Sequence, residues 1–256
     1  MPVSLDYEPY DLAATTWPDA ESAIPDAEFM VLPTGSIEQH SHHLPVSVDT
    51  LRAETLTRLL VEAGAERDLP MLRLPTLPFG YSEHHSTLAG TVTLTAETYQ
   101  SVLVEIAASV ADHGCRRLLI ANFHGGNEEP IKLAADRMQR DHDLSVYNLD
   151  WTDYARTELV EQFGEEWGHA GDHETSVIEL FYPELVDTEE KVPQTRRARF
   201  NIRQYTYFED ITVEGGLGDP TAADPDFMAG VVERTNQRIL DALEEDLATE
   251  ADFSDP

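Results

Sequence analysis

Short apolar runs and longer amphipathic stretches alternate along this chain. Runs rich in apolar residues and bounded by proline, glycine or polar positions predict strands at residues 28–33, 70–74, 116–122 and 144–149. Stretches in which apolar side chains recur every three or four positions predict helices at residues 50–65, 95–113, 128–140, 176–182 and 230–247. One further helical turn is predicted near residues 19–22.

The order of these elements indicates the fold class. Strands and helices alternate from residue 28 to residue 149, which predicts an α/β fold with a mainly parallel sheet and helices on both faces. The 256 residues suffice for one large α/β domain, and no internal segment has the composition of a linker. We therefore expect one domain over residues 1–256, with an acidic and frayed tail at 249–256.

The charge balance narrows the choice of partners. The formal net charge is −32, from 49 acidic and 17 basic residues, and only Lys132 and Lys191 are lysines. Such a surface repels nucleic acid and anionic membranes, and it is typical of a halophilic cytoplasm, where salt screens the self-repulsion. A single cysteine, Cys115, and the absence of a secretory signal or a membrane-spanning run predict a cytoplasmic protein.

Candidate metal ligands are concentrated directly after the first predicted strand. Five of them lie within twelve residues: Glu38, His40, His42, His43 and Asp49. Imidazole and carboxylate together are the ligands that divalent transition metals prefer. The alternative is a polar surface loop that happens to be rich in histidine.

Two more loops with histidine follow predicted strands, at residues 80–85 and 124–127. Because ligands bind beyond the carboxyl ends of parallel strands, we expect all three loops to lie along one edge of the sheet. A fourth cluster, at residues 168–175, contains His169 and Glu174. Glu174 is either a ligand or simply a favourable first-turn carboxylate of the following helix.

One basic run interrupts the acidic composition. It contains Arg196, Arg197, Arg199 and Arg203. These side chains either receive an anionic substrate or a neighbouring subunit, or form an ordinary solvated patch, which we favour.

Taken in chain order, the motifs resemble those of the creatininase (creatinine amidohydrolase) family. The matching segments are Gly35-Ser36-Ile37-Glu38-Gln39-His40 with Asp49-Thr50, His85 with Gly90-Thr91, Asn122-Phe123-His124-Gly125-Gly126-Asn127, His169-Ala170-Gly171 with Glu174-Thr175-Ser176, and Gly218-Asp219-Pro220-Thr221. The resemblance implies a dinuclear metal hydrolase with zinc or manganese, iron being a third candidate. It also implies a three-layer α/β/α sandwich and a homo-oligomer, often a hexamer.

Position by position, the resemblance assigns Glu38, Asp49 and His124 to one metal, and His40 with the bridging Asp49 to the second. In creatininase the second metal also takes a glutamate at the position that Gly126 occupies here. Glu174 is the candidate replacement. Two such cations lower the pKa of a shared water from about 16 towards about 7.

The resemblance gives His169 the role of the acid/base that protonates the leaving amine, with Glu174 beside it. Candidate substrate-binding residues are His85, Gly125, Gly126, Asn127 and Trp151, the last as an aromatic wall. A substrate-stacking tryptophan of creatininase is replaced by Glu165, although Trp167 is near.

The Gly-Gly-Asn form of the third motif bears on the substrate. It is shared with an archaeal hydrolase that deformylates a formamidopyrimidine ribonucleotide on the way to flavins and deazaflavins, and with the mycofactocin precursor peptidase. We expect hydrolysis of a small-molecule amide C–N bond through a metal-bridged hydroxide, first of all that formamide. Creatinine hydrolysis, the peptidase activity and a non-catalytic metal-binding subunit remain alternatives.

Overall fold

The computed structural model describes residues 8–203 and 205–254. Within them, four parallel strands form one sheet in the order β2–β1–β3–β4. The strands are β1 (Phe29–Thr34), β2 (Met71–Arg73), β3 (Arg117–Asn122) and β4 (Ser145–Asp150). The four predicted strands and their parallel arrangement are confirmed, with ends that differ by one residue.

Helices cover both faces of the sheet. They are α1 (Trp17–Asp26), α2 (Val48–Ala65), α3 (Ala96–Asp112), α4 (Glu128–His142), α5 (Trp151–Phe163), α6 (Asp172–Phe181), α7 (Phe208–Ile211) and α8 (Pro225–Ser254). Alternate residues of β1 enter different cores: Val31 packs with residues of α2 and α8, and Met30 packs with residues of α3 and α4. Side chains of a strand point alternately to its two faces, so this pattern defines the expected three-layer α/β/α sandwich.

Several helices differ from the prediction. Helix α5 was not predicted, because it begins directly after β4 and its apolar positions are few. Helix α6 begins at Asp172, four residues before the predicted start, and α8 begins at Pro225 instead of residue 230. Residues 249–254 continue α8, and 255–256 lie outside the described residues, so fraying of this tail stays a prediction.

The end of β1 is fixed against the start of α2. A Cβ at Gly35 would lie 2.7 Å from the backbone nitrogen of Thr50 and 2.8 Å from the carbonyl of Asp49. Glycine at this position therefore lets the first turn of α2 approach the strand end closely. Across the sheet, the Thr34 hydroxyl donates to the Asn122 side chain at 3.2 Å, which joins the carboxyl ends of β1 and β3.

Across residues 8–203 and 205–254, no helix has the length and apolar character needed to cross a membrane.

Candidate metal centre

Five of the predicted ligands meet at the carboxyl edge of the sheet, and we call them the ligand cluster. All are at most 6% exposed: Glu38, His40, Asp49, His124 and Glu174. They come from four places in the chain, namely the loop after β1, the first turn of α2, the loop after β3 and the first turn of α6. The fold thus brings together the loops that the strand order predicted to share one edge.

The cluster contains two groups of donor atoms with Asp49 in both. In the first group, His124 Nδ1 lies 3.2 Å from Glu38 Oε2 and 3.2 Å from Asp49 Oδ2. In the second group, His40 Nε2 lies 3.4 Å from Asp49 Oδ1 and 3.5 Å from Glu174 Oε2. Two donors that each lie 2.0–2.1 Å from a tetrahedral zinc ion are about 3.4 Å apart, so each group has the spacing of a metal site.

The outward nitrogen of each ligand imidazole is engaged by a backbone carbonyl. His40 Nδ1 lies 3.1 Å from the oxygen of Glu38, and His124 Nε2 lies 3.0 Å from the oxygen of Tyr81. Imidazoles that ligate metals commonly donate their second nitrogen in this way, which leaves the inward nitrogen as a lone-pair donor. Within the described chain, Glu38 Oε2, His40 Nε2 and Asp49 Oδ2 are buried and have no hydrogen-bond partner. This donor set fits divalent transition metals.

The carboxylates of the cluster favour positive charge on both imidazoles. Burial disfavours charged His40, but Asp49 and Glu174 outweigh it and raise the pKa of His40 to about 9. Burial also opposes charge on His124, whose pKa is nevertheless raised well above its usual value by Glu38 and Asp49. Burial favours neutral Asp49, but the imidazoles hold its pKa well below the usual range. Cations and protons therefore compete for the same atoms.

Glu174 is held by contacts on both of its oxygens. Its Oε1 accepts a hydrogen bond from the guanidinium of Arg52 at 2.5 Å, and its Oε2 accepts one from the backbone nitrogen of Ala170 at 2.7 Å. Glu174 also lies in the first turn of α6, where the helix dipole favours a carboxylate. No motif or spacing in the sequence indicated a role for Arg52, which lies on α2 and is 2% exposed.

Gly126 has no space for a side chain. A Cβ there would lie 2.2 Å from the carbonyl oxygen of Tyr81 and 2.4 Å from His124 Nε2. The residue that occupies this position in creatininase therefore cannot be accommodated in this backbone arrangement. Gly125 differs, because a Cβ there would meet no described atom within 4 Å.

His169 lies against the first group of donors. Its Nδ1 is 3.4 Å from Glu38 Oε1, and its Nε2 is 2.7 Å from the carbonyl oxygen of Gln39. Burial, reinforced by His40, lowers the pKa of His169 to about 3, so its imidazole is neutral. With Glu38 and His40 it forms a third group of potential ligands, so its position is compatible with proton transfer and with metal binding.

A cavity of about 330 Å³ opens beside the ligand cluster. It is lined by His85, Gly125 and Gly126, as expected, and also by Trp167. Phe208 of α7 forms a further aromatic wall, with its ring centroid 4.0 Å from that of His85 and 4.8 Å from that of His169. Sequence reasoning missed Phe208, because residues 183–220 show no regular pattern.

Two expected substrate-binding residues do not line the cavity. Trp151 is 1% exposed and packs in the core, where its Nε1 donates to Asn236 at 3.1 Å, so the expected aromatic wall at this position is wrong. Asn127 is fully buried, and its side chain accepts from Tyr81 N at 2.9 Å and donates to Gly35 O at 3.1 Å. It therefore ties together the loops after β1, β2 and β3.

The arginine run lies outside the cavity. Arg199 pairs with Glu166, Arg203 pairs with Asp210 at 2.9 Å, and both guanidinium groups are largely exposed. Arg199 and Arg203 thus lie in a solvated patch and pair with acidic groups of their own chain. A contact of this run with a neighbouring subunit stays a prediction.

Comparisons with known proteins agree with this centre. A family model described as creatininase, creatinine amidohydrolase, matches residues 13–243. The creatinine amidohydrolase of Pseudomonas putida is 30% identical over 196 residues, which cover 69% of this chain and 74% of the relative. The mycofactocin precursor peptide peptidase of Mycobacterium tuberculosis (strain CDC 1551 / Oshkosh) is 30% identical over 210 residues, 76% of each chain. A solved creatininase variant described as the Zn–Zn type aligns with a TM-score of 0.82 and 25% identity, over 94% of this chain and 99% of its own.

The parallel sheet and the buried histidine–carboxylate cluster at its edge define a metal-binding α/β hydrolase. The chain belongs to the creatininase family and is an amidohydrolase of that family.

Proposed function

We propose that this amidohydrolase cleaves an amide C–N bond of a small molecule with two divalent cations, zinc or manganese, held by the ligand cluster. The observation that carries the proposal is the position of Asp49. Its Oδ2 faces His124 and its Oδ1 faces His40, so one carboxylate offers an oxygen to each group of donors. A shared carboxylate of this kind would contribute to holding both cations, and such a pair would supply an activated water and polarise the substrate carbonyl.

The chain's own residues then move the proton and orient the substrate. His169 Nε2 donates to the Gln39 carbonyl at 2.7 Å, which leaves Nδ1 as the atom that accepts a proton and passes it to the leaving nitrogen. Glu174 is the proposed ligand of the second metal, beside the histidine that transfers the proton. His85, Phe208 and Trp167 provide the faces between which a flat substrate is held.

As the first substrate to test, we propose the formamide group of a formamidopyrimidine ribonucleotide, in flavin or deazaflavin synthesis. The support is the Gly125–Gly126 pair shared with that deformylase and the acidic composition, which is typical of a salt-adapted archaeal host. Gly125 also leaves the cavity open beside His124, where a substituted ring can enter.

Creatinine is the second candidate, favoured by a specific feature of the cavity. The cavity lining includes Asp150 and Asp153, carboxylates that accept hydrogen bonds from amino or imino groups and repel a phosphate. The creatinine amidohydrolase of Pseudomonas putida is among the relatives of this chain. The mycofactocin precursor peptide peptidase is also 30% identical to this chain, so peptide hydrolysis is the third candidate.

The experiment begins with the metal content of protein purified in molar salt and reconstituted with zinc or manganese. Parallel incubations with the formamidopyrimidine ribonucleotide, creatinine and a mycofactocin-type precursor peptide would then be assayed for formate, creatine and new peptide ends. Formate alone supports the first candidate, and creatine alone supports the second. Two bound metals without any of these products would leave the reaction class in place and reject all three substrates.

A non-catalytic metal-binding subunit is the remaining alternative. An open cavity beside the ligand cluster argues against it, because structural zinc sites are usually closed and rich in thiolates. Binding of a small competing anion such as fluoride, followed through the spectrum of the cobalt-substituted protein, would show an open coordination position. A saturated metal would reject the enzymatic function.

We further propose that the chain works as one domain within a cytoplasmic homo-oligomer, a hexamer by family resemblance. Sedimentation in molar salt would measure the assembly.

A further inference from the structure

Arg52 carries a buried cation in the middle of a centre that is expected to bind cations. It lies on α2 one helical turn after Asp49, and it is 2% exposed. Its NH1 lies 2.5 Å from Glu174 Oε1 and 3.8 Å from Asp49 Oδ1. Two longer contacts follow: NH1 lies 3.5 Å from the Phe123 carbonyl oxygen, and NH2 lies 3.4 Å from the Thr152 hydroxyl oxygen.

The two oxygens of Glu174 have different partners because of this contact. Arg52 engages Oε1, and a charge-assisted bond of this kind is both strong and directional. Oε2 is thereby turned towards Ala170 N at 2.7 Å and His40 Nε2 at 3.5 Å. Oε2 is thus the oxygen of Glu174 that faces His40, the imidazole of the second group.

The second group depends on this orientation more than a creatininase site would. Gly126 provides no carboxylate, so the group lacks a ligand from the loop after β3. Its replacement, Glu174, reaches the group from a different element, the first turn of α6. A carboxylate so close to Asp49 is repelled by it unless a cation fixes its position.

We propose that Arg52 is a positioning residue that holds Glu174 in the orientation required to ligate the second metal. The inference rests on the proposed function, in which Glu174 is that ligand. The pair Arg52 and Glu174 thus replaces the single glutamate of the third motif, and Arg52 acts through Glu174 without contacting the substrate.

The direction of one measured effect separates this role from a purely electrostatic one. If Arg52 acted by its charge alone, its removal would relieve repulsion and both metals would bind more tightly. If Arg52 positions Glu174, its removal weakens the second metal and leaves the first unchanged.

The test compares stepwise metal affinities, measured by competition with a chromophoric chelator, in wild-type protein and in Arg52→Met and Arg52→Lys. We expect Arg52→Met to weaken the second metal about 10- to 100-fold, as losses of such supporting contacts do. Arg52→Lys should restore part of the affinity, because an ammonium keeps one contact without the guanidinium fork. Arg58→Met is the matched control, since Arg58 lies on the same helix and pairs with Glu62 at the surface.

A second comparison isolates the pathway through Glu174. In a Glu174→Gln background, Arg52→Met should have no further effect on the second metal, because the carboxylate that it positions is gone. If Arg52→Met does not fold, Arg52→Lys decides the matter by the same comparison.

If the wild-type protein binds two metals, three results for Arg52→Met would overturn the inference: unchanged affinities, tighter binding of both metals, or an equal loss of affinity for both. A wild-type protein that binds fewer than two would instead overturn the proposed function, and the inference with it.

Discussion

The ring of Phe208 stacks on the imidazole of His85, with 4.0 Å between centroids and 27° between planes. The contact joins the short helix α7 to the loop after β2, and it makes one wall of the cavity aromatic. A flat face of this kind suits a planar amide or heterocycle.

Replacing that ring should therefore weaken substrate binding without changing the metals. For Phe208→Leu we expect KM for a planar substrate to rise about 3- to 10-fold, the equivalent of 0.5–1.5 kcal/mol of aromatic contact. Metal content and kcat should be unchanged. Phe200→Leu is the control, because Phe200 is exposed and stacks on Arg203 away from the cavity. Equal KM values for the two variants would contradict a role of Phe208 in substrate binding.

The two adjacent glycines should respond differently to a methyl group. In Gly126→Ala the Cβ would press on the Tyr81 carbonyl and on His124, so we expect the first metal to be lost and turnover to fall about 100-fold. Gly125→Ala, whose Cβ meets no described atom within 4 Å, should keep both metals and the wild-type melting temperature. Metal analysis and thermal unfolding of the pair would measure this. Full metal content in Gly126→Ala would contradict this prediction, because it would show that the loop after β3 can shift to accommodate the methyl group.

His169 can be tested through metal content and turnover together. If it transfers the proton, His169→Ala should keep two metals and lose about 10²- to 10⁴-fold in kcat. Its Nδ1 nevertheless lies within ligand distance of the first group, 3.4 Å from Glu38 Oε1. A loss of metal in His169→Ala would therefore reassign this residue as a ligand.

His43 should make the stability of the metal-free protein depend on pH. It is buried beside the Thr175 hydroxyl at 2.8 Å, and burial, with Lys191, lowers its pKa to about 4. The unfolded chain, with a histidine pKa near 6.5, binds the proton first as pH falls. The stability that His43 contributes is thus present above about pH 6.5 and is lost between about pH 6.5 and 4.

In His43→Gln the slope of unfolding free energy against pH in this range should fall by up to about 1.4 kcal/mol per pH unit. Urea unfolding at several pH values, with chelator present, would measure it. His113→Gln, at an exposed position, is the control. Identical slopes for His43→Gln and wild type would show that folding does not change the pKa of His43.

The positions of most proposed ligands followed from the order of the strands. Glu38, Asp49 and His124 come from segments that follow β1 and β3, and parallel strands place such segments at one edge. The family resemblance favoured Glu174 as a ligand, whereas the residues alone left it either as a ligand or as an ordinary first-turn carboxylate. Both kinds of reasoning depended on motifs that are local in the chain.

The remaining residues depend on long-range packing, which local motifs do not show. An arginine within a helix usually lies in solvent, whereas Arg52 is buried and pairs with Glu174 of α6, more than a hundred residues later in the chain. Trp151 was misplaced for the same reason, since α8 supplies Asn236 and the core around it. Phe208 belongs to a four-residue helix and stacks on His85, more than a hundred residues earlier in the chain.

The contact at Gly35 determines when the first metal site is assembled. Because the end of β1 and the first turn of α2 touch through their main chains, the separation of Glu38 and Asp49 is set by the backbone. The conformational entropy of bringing these two carboxylates together is lost during folding and not when a cation arrives. The strength of metal binding at this edge is therefore coupled to how well the sheet and α2 pack.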